Sequence, residues 1–138
     1  MANLIKKTIS ISATPHAVWR VFTDPVVTKQ MGGHYVSTWK AGDSLQWKGE
    51  DGQMSTFGII LAIEPERLLK HSLYDLKTKS RITSVITYQI EKKETYTLLH
   101  AEEELSFDMR EEQFEDALDG WDMALASVKE LAEKLDKS

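Results

Sequence analysis

The pattern of apolar and polar positions changes twice along the chain and begins with an alternating segment. Residues 4–12 place Ile5, Ile9 and Ile11 on one face, with Lys7 interrupting that face. Alternation of this kind is typical of a strand with one buried side. The sequence therefore predicts that the chain opens with a strand of a sheet.

Two short helices are predicted to follow this strand. Thr14 is a favourable N-cap residue, and Pro15 fits the first helical position. Asp24-Pro25 ends the first helix and provides a cap for a second one, which Gly32-Gly33 ends.

Between about residues 34 and 105 the sequence has the texture of a sheet. Short segments rich in Val, Ile, Thr, Tyr and Trp alternate with turn signals, among them Gly42-Asp43, Asp51-Gly52 and Pro65. Six strands are predicted here, and every gap between them is short. Consecutive strands should therefore pair antiparallel.

The last 30 residues carry the strongest periodicity, which predicts a helix from about 110 to 136. Its apolar positions are spaced alternately by four and three residues: Phe114, Leu118, Trp121, Leu125, Val128, Ala132 and Leu135. At ~1.5 Å per residue such a helix is roughly 40 Å long, the width of a small domain. Gly120 precedes Trp121 inside it, and we interpret this glycine as a point of close approach to another element.

These elements predict an α+β fold in which a curved antiparallel sheet wraps around the long C-terminal helix. The order is β-α-α-β6-α, and residues 1–138 are expected to form one domain. A bent sheet rarely meets a straight helix along its whole length. We therefore expect a cavity between them, closed at one end by the two short helices.

Composition and charge narrow the class of protein. The chain is 41% hydrophobic and 28% charged, without cysteine, and no apolar run approaches the ~18–20 residues that cross a bilayer. The N-terminal segment lacks the apolar stretch of a signal peptide. We expect a cytoplasmic protein that forms no disulfides and does not insert into a membrane.

The net charge of −5 arises from a local excess of acids. Residues 102–122 hold ten acids and one base, Arg110. The only small basic cluster is Lys77, Lys79 and Arg81, so nucleic-acid binding is not expected. The acidic segment is either a solvated surface that favours the start of the helix, or a docking surface for a basic partner.

Four stretches resemble a known family. They are Ile9-x-Ile11 with Ala13-Thr14-Pro15, Val18-Trp19 and Thr23-Asp24-Pro25; Gly58-x-Ile60-x-x-Ile63-Glu64-Pro65-x-Arg67-Leu68; Thr97-Leu98-Leu99; and Gly120-Trp121 with Leu125 and Val128. In order and spacing they resemble the helix-grip fold of the START and birch-pollen-allergen superfamily, SRPBCC, and within it the homologues of the heat-shock chaperone ATPase activator. The resemblance implies the same fold, and it implies either ligand binding or action on a chaperone ATPase.

Candidate catalytic and metal-binding groups are few. His16, His34, His71 and His100 form neither an HxH nor an HExxH pattern, so no metal and no cofactor is expected. Glu102, Glu103 and Glu104 are consecutive. Either one of them faces the interior as a candidate base, or the strand frays into solvent there.

The predicted cavity lining consists of aromatic and flexible apolar residues, with His34 on the glycine hinge as either a mouth residue or a solvated loop residue. The set is Trp19, Phe22, Met31, His34, Trp39, Trp47, Phe57, Tyr88, Leu118, Trp121 and Leu125. Their chemistry favours non-catalytic binding of a small hydrophobic or amphipathic molecule. The alternatives are an interaction module that regulates a heat-shock chaperone ATPase and a cyclase- or hydrolase-like enzyme, which would require polar groups inside the cavity.

Overall fold

The structure, a computed structural model, describes residues 2–75, 77 and 80–137. The predicted order of strands and helices is confirmed. The elements are β1 (Ala2–Ile11), α1 (Pro15–Thr23), α2 (Pro25–Thr28), a 3-10 turn (Lys29–Met31), β2 (Gly33–Val36), β3 (Ser44–Gly49), β4 (Met54–Glu64), β5 (Leu68–Tyr74), β6 (Ile82–Lys92), β7 (Thr97–Met109) and α3 (Glu111–Lys137).

The strands form one antiparallel sheet in the order β1-β7-β6-β5-β4-β3-β2. Every neighbouring pair is consecutive in the chain except β1 and β7, whose pairing brings the first strand beside the last. The sheet curves around α3, so the predicted helix-grip α+β fold is confirmed.

The short helices begin where the sequence predicts. The side chain of Thr14 accepts a hydrogen bond from the backbone N–H of Ala17 at 3.2 Å, and Pro15 occupies the first turn of α1. Asp24 ends α1 and caps α2 by accepting from the backbone N–H of Val26 at 3.1 Å. The hydrogen bond from Arg20 to Asp24 holds the pKa of this carboxyl below its usual value.

The hydrophobic core lies between the concave face of the sheet, α1 and the C-terminal half of α3. On α3 the buried residues are Leu125, Val128, Leu131 and Ala132. Phe114 and Leu118, on the N-terminal half, are only half-buried. The C-terminal half of α3 is therefore packed more closely on the core than the N-terminal half.

Polar contacts fix the C-terminal half of α3 to the end of β1. Glu133 accepts hydrogen bonds from the Nζ of Lys129 at 2.8 Å and from the backbone N–H of Ser12 at 2.9 Å. Lys129 also donates to the backbone carbonyl of Ser10 at 2.8 Å. Lys129 and the Ser12 amide hold the pKa of Glu133 below its usual value.

The interpretation of Gly120 as a point of close approach is wrong. Gly120 is exposed, and a Cβ atom placed on it would meet nothing within 4 Å. The close approach lies instead at Gly58 in β4, where a Cβ would sit 1.9 Å from the carbonyl oxygen of Ser72. Gly58 is thus required by the neighbouring strand, whereas Gly120 is an unconstrained helical position.

Two sequence expectations concern the surface. Lys79, part of the small basic cluster, lies outside the described residues. Among the residues the structure describes, no helix has the length and apolar character needed to cross a membrane.

Candidate functional site

A cavity of about 260 Å³ lies between α3 and the concave face of the sheet. The α1–α2 segment closes one side, α3 forms the opposite wall, and β2, β3 and β6 provide the floor. Its lining residues are Val21, Phe22, Thr28, Met31, Tyr35, Trp47, Tyr88, Trp121, Ala124, Leu125 and Val128. Ala124 lines the cavity and is exposed, so the space reaches solvent beside α3.

Five of the eleven residues that line the cavity are aromatic. The ring of Tyr88 lies 4.7 Å from that of Phe22 and 5.8 Å from that of Trp121, measured between centroids. Tyr35 meets Trp47 edge-on at 4.9 Å. Such tilted and edge-to-face contacts are favourable arrangements for aromatic rings. They give this side of the cavity an aromatic surface.

Gly33 allows Trp47 to take its place in this wall. A Cβ atom on Gly33 would lie 2.6 Å from the Nε1 atom of Trp47 and 2.5 Å from the carbonyl oxygen of Lys48. The absence of a side chain at Gly33 therefore leaves room for the indole of Trp47.

Two tyrosines from distant strands contribute to the lining. Tyr35 comes from β2 and Tyr88 from β6, which are separated in the sheet by β5, β4 and β3. The curvature of the sheet brings both side chains to the same cavity. Burial raises the pKa of Tyr35 to about 12 and that of Tyr88 well above its usual value. Both phenols are therefore neutral at physiological pH.

Glu103 brings a carboxylate to the inner face of the sheet. Its Oε1 atom accepts a hydrogen bond from the indole N–H of Trp121 at 2.9 Å. β7 continues to Met109, so the alternative that the strand frays at the three glutamates is wrong, and Glu103 is the one that faces α3. Glu102 faces the other side, where it lies 3.6 Å from the Nζ of Lys6.

His71, on β5, is the buried ionisable side chain behind this wall. It is 2% exposed, and its ring centroid lies 6.5 Å from that of Tyr88. Its Nδ1 donates to the carbonyl of Ser72 at 3.1 Å, whereas its Nε2 has no hydrogen-bond partner. Burial lowers the pKa of His71, so the imidazole is neutral at physiological pH with a bare Nε2 acceptor.

Six of the residues predicted to line a cavity are brought together in it: Phe22, Met31, Trp47, Tyr88, Trp121 and Leu125. Five others lie outside the lining. Phe57 is one strand position away from the buried Gly58, and its ring packs on Tyr74 instead. His34 precedes Tyr35 in β2, so it faces the opposite side and lines an outer depression with Lys29 and Lys48.

The remaining three residues outside the lining are half-buried neighbours of it. Trp39 packs behind the cavity, edge-on to Tyr35 at 5.9 Å. Trp19 is one helical position away from Val18 and packs on the edge of the core. Leu118 lies one turn before Trp121 on the loosely held half of α3.

The sequence reasoning missed Tyr35 and did not decide which of the three consecutive glutamates faces inward. Strand alternation carried the signal for Glu103, since Leu99, Ala101 and Glu103 share one face of β7. Tyr35 had no such signal, because β2 has only four residues and the sheet curvature that brings it to Tyr88 is a long-range property.

Larger depressions lie on the outer face of the sheet, and their walls are charged. One of them, about 580 Å³, is lined by Glu64, Arg67, Leu68, Gln89, Ile90, Glu91, Lys92 and His100. There His100 bridges the Thr8 hydroxyl and the Glu91 carboxylate, each at 2.9 Å. β6 and β7 lie inside the sheet, where their backbone N–H groups form hydrogen bonds with the neighbouring strands. These N–H groups are therefore not available to bind an anion in this depression. We interpret the contacts of His100 with Thr8 and Glu91 as side-chain contacts between neighbouring strands.

The described part of the chain contains no group of three or more His, Cys, Asp or Glu side chains placed to hold a metal ion. The polar side-chain groups of the lining are the hydroxyls of Thr28, Tyr35 and Tyr88 and the indole N–H groups of Trp47 and Trp121, the second of which is bonded to the Glu103 carboxylate.

An antiparallel sheet curved around a C-terminal helix, with a cavity between them, defines a helix-grip protein of the SRPBCC superfamily. The family described as "Activator of Hsp90 ATPase homolog 1-like protein" matches residues 12–133, and the chain belongs to that family. Comparison with curated proteins gave no match.

Solved structures share this fold at low sequence identity. Protein MLL2253 from Mesorhizobium loti is 19% identical with a TM-score of 0.80, over 96% of this chain and 98% of that one. The Aha1 dimer from Colwellia psychrerythraea is 16% identical with a TM-score of 0.78, over 96% and 97%. CalU16 from Micromonospora echinospora is 22% identical with a TM-score of 0.74, over 94% and 75%.

Proposed function

We propose that this protein binds a small, mainly apolar molecule in the cavity between α3 and the sheet, without catalysing a reaction on it. The observation that carries the proposal is the cavity of about 260 Å³, whose wall is built from the rings of Phe22, Tyr35, Trp47, Tyr88 and Trp121. An apolar wall with a few polar atoms is typical of small-molecule sites.

The unequal burial of residues along α3 supports the proposal. Leu125 and Val128 are buried, whereas Trp121 is half-buried and Ala124 is exposed. The cavity therefore reaches solvent along the helix. A ligand entering there would bury apolar surface, which stabilises a complex by ~25 cal/mol per Å² before the costs of association.

The interior contains ionisable side chains, which a cyclase- or hydrolase-like enzyme would require. Glu103 is bonded to Trp121, and His71 donates to a backbone carbonyl. Neither forms a hydrogen bond with a nucleophilic side chain in the described part of the chain, so we assign no reaction to them.

Binding of N-phenyl-1-naphthylamine, an uncharged dye that fluoresces in apolar sites, tests the proposal. We expect saturable binding to the wild type. Ala124→Trp should abolish it by filling the opening, whereas Ala126→Trp, at an exposed position outside the cavity, should leave it unchanged. No saturable signal, or equal binding by both variants, would refute the cavity as the site.

A second candidate function is a docking module for a basic surface of a chaperone ATPase. The acids Glu111, Glu112, Glu115, Asp116 and Asp119 are all exposed on the N-terminal half of α3. Such a surface would give a salt-dependent complex. If it acts in docking, binding to a heat-shock chaperone ATPase should weaken from 50 to 300 mM salt, and Glu112→Lys with Asp116→Lys should abolish it. A complex that is unaffected by either would contradict this role.

A further inference from the structure

A depression of about 450 Å³ lies at the β2 end of the sheet and shares no lining residue with the apolar cavity. His34 of β2 and Lys48 of β3 stand directly opposite each other in its wall. Their neighbours Tyr35 and Trp47 line the cavity, so strand alternation places His34 and Lys48 on the other face of the sheet. The depression is therefore a separate candidate site. Its full lining is Lys29, Gly33, His34, Lys48, Gly49, Glu50 and Gly52.

The depression carries an excess of positive charge, although the chain as a whole has a net charge of −5. Lys29 and Lys48 form no ion pair and no side-chain hydrogen bond within the part of the chain that the structure describes. Four other lysines do lie against carboxylates, namely Lys6, Lys7, Lys93 and Lys129. Glu50 is the one acid of the lining, and it is exposed. Two ammonium groups thus share the depression with a single carboxylate.

The backbone N–H of Gly33 points away from the sheet. Gly33 is paired with Gly49, whose own N–H bonds to the carbonyl of Gln53 at 2.9 Å, on the side of β4. Opposite residues of an antiparallel pair exchange both hydrogen bonds or neither, so Gly33 and Gly49 exchange none. The N–H of Gly33 therefore faces the free edge, because β2 is the last strand of the sheet.

This N–H has no acceptor among residues 2–75, 77 and 80–137, although Gly33 is buried. Buried backbone N–H groups are nearly always paired, so the acceptor has to come from outside the chain. The side chain of Lys48 runs over the adjoining turn, with its Cε 4.0 Å from the place that a Cβ on Gly52 would occupy. A free N–H and two unpaired ammonium groups in one depression favour an anion as that acceptor.

We propose that this depression binds a phosphate group, either free or as the monoester of a small molecule. The Gly33 N–H donates to a phosphate oxygen, and Lys29 and Lys48 neutralise the charge. A phosphate group carries a charge of about −2 and three strong acceptor oxygens, which match two ammonium groups and an N–H, whereas a carboxylate carries half that charge. The inference goes beyond the proposed function, because it concerns a different site and a different class of ligand.

Nuclear magnetic resonance of the wild-type amides tests the proposal without any variant. The protein is titrated at constant ionic strength with inorganic phosphate, with glycerol 3-phosphate and with acetate. We expect a saturable downfield shift of the Gly33 amide proton with both phosphates, and weaker binding of acetate. The tighter of the two phosphates identifies the free ion or the monoester as the source of the group, and either order supports the site.

Charge variants then assign the binding energy to the depression. Lys48→Gln should weaken phosphate binding roughly tenfold, the size of one charge-assisted hydrogen bond. Glu50→Gln should strengthen it, because a nearby negative charge is removed. Lys70→Gln is the matched control, since Lys70 is exposed on β5 outside the depression and its loss changes the net charge equally.

Several results would overturn the inference. Shifts that grow linearly with phosphate, a Gly33 amide that does not move, or equal losses in Lys48→Gln and Lys70→Gln would show that phosphate only screens surface charge. Acetate that binds as tightly as phosphate would exclude the proposed class of ligand. Phosphate that displaces N-phenyl-1-naphthylamine would place the anion in the cavity instead, whereas failure of the dye to bind would leave this site untouched.

Discussion

The indole N–H of Trp121 on α3 donates a hydrogen bond to the carboxylate of Glu103 on β7, with 2.9 Å between Nε1 and Oε1. This contact joins the loosely held half of the helix to the sheet. C-terminal to it, α3 is anchored by buried Leu125 and Val128. The Trp121–Glu103 bond therefore helps to set how far the helix stands from the sheet.

Trp121→Phe should destabilise the protein by roughly 1–2 kcal/mol, because it keeps an aromatic ring but leaves Glu103 without its donor. Urea unfolding measures the change. Trp19→Phe is the control, since Trp19 is half-buried and packs on the edge of the core. Equal losses in the two variants would mean that ring size alone, and not the hydrogen bond, explains the effect.

Gly120→Ala should stabilise the protein by about 0.5–1 kcal/mol, because the position is helical, exposed and free of any atom within 4 Å of a new Cβ. Thermal or urea unfolding would show the gain. Gly58→Ala is the opposite case and should cost about 3 kcal/mol or prevent folding, because its Cβ would overlap the Ser72 carbonyl. A loss at Gly120 would indicate a contact that the structure does not contain.

His71 should make the protein acid-sensitive. Burial lowers the pKa of His71 in the folded state below its unfolded value of about 6.5. Above that value the imidazole is neutral in both states, so its protonation does not affect stability. As pH falls below that value, the unfolded chain binds the proton more readily and stability is lost down to the folded pKa. The difference in melting temperature between pH 7 and pH 5 should therefore be smaller in His71→Gln than in the wild type. An unchanged difference would place the acid sensitivity elsewhere.

Glu133 should contribute stability in a lower pH range. Lys129 and the Ser12 amide hold its folded pKa below the usual value, so its contribution is present above the unfolded value of about 4.5. It is lost as pH falls through the folded pKa. Glu133→Gln should therefore lower the melting temperature at pH 7 and differ little from the wild type at pH 3. Glu130→Gln, at an exposed position of the same helix, should have little effect at either pH.

The elements of this fold were predictable because their signals are local. The spacing from Phe114 to Leu135 predicted α3, and Thr14-Pro15 with Asp24-Pro25 predicted the start of each short helix. Each signal depends on residues within one or two turns of one another. The resemblance to the helix-grip superfamily then indicated how the elements assemble.

The cavity lining was predictable only in part, because it depends on parity and curvature. Phe57 and Gly58 are adjacent in β4, yet Phe57 faces away from the core and Gly58 faces inward. The sequence likewise did not show which glycines are required by packing and which are not. Gly58 is required by a carbonyl from another strand, whereas Gly120 meets no other atom.

The sequence by itself determined the order of the elements and the apolar face of α3, because backbone propensity and periodicity act over short distances. Tertiary structure alone decided that Tyr35 and Tyr88, 53 positions apart and on strands that are not neighbours, line the same cavity. That meeting depends on the summed twist and bend of the sheet, to which every strand contributes and which no single segment encodes.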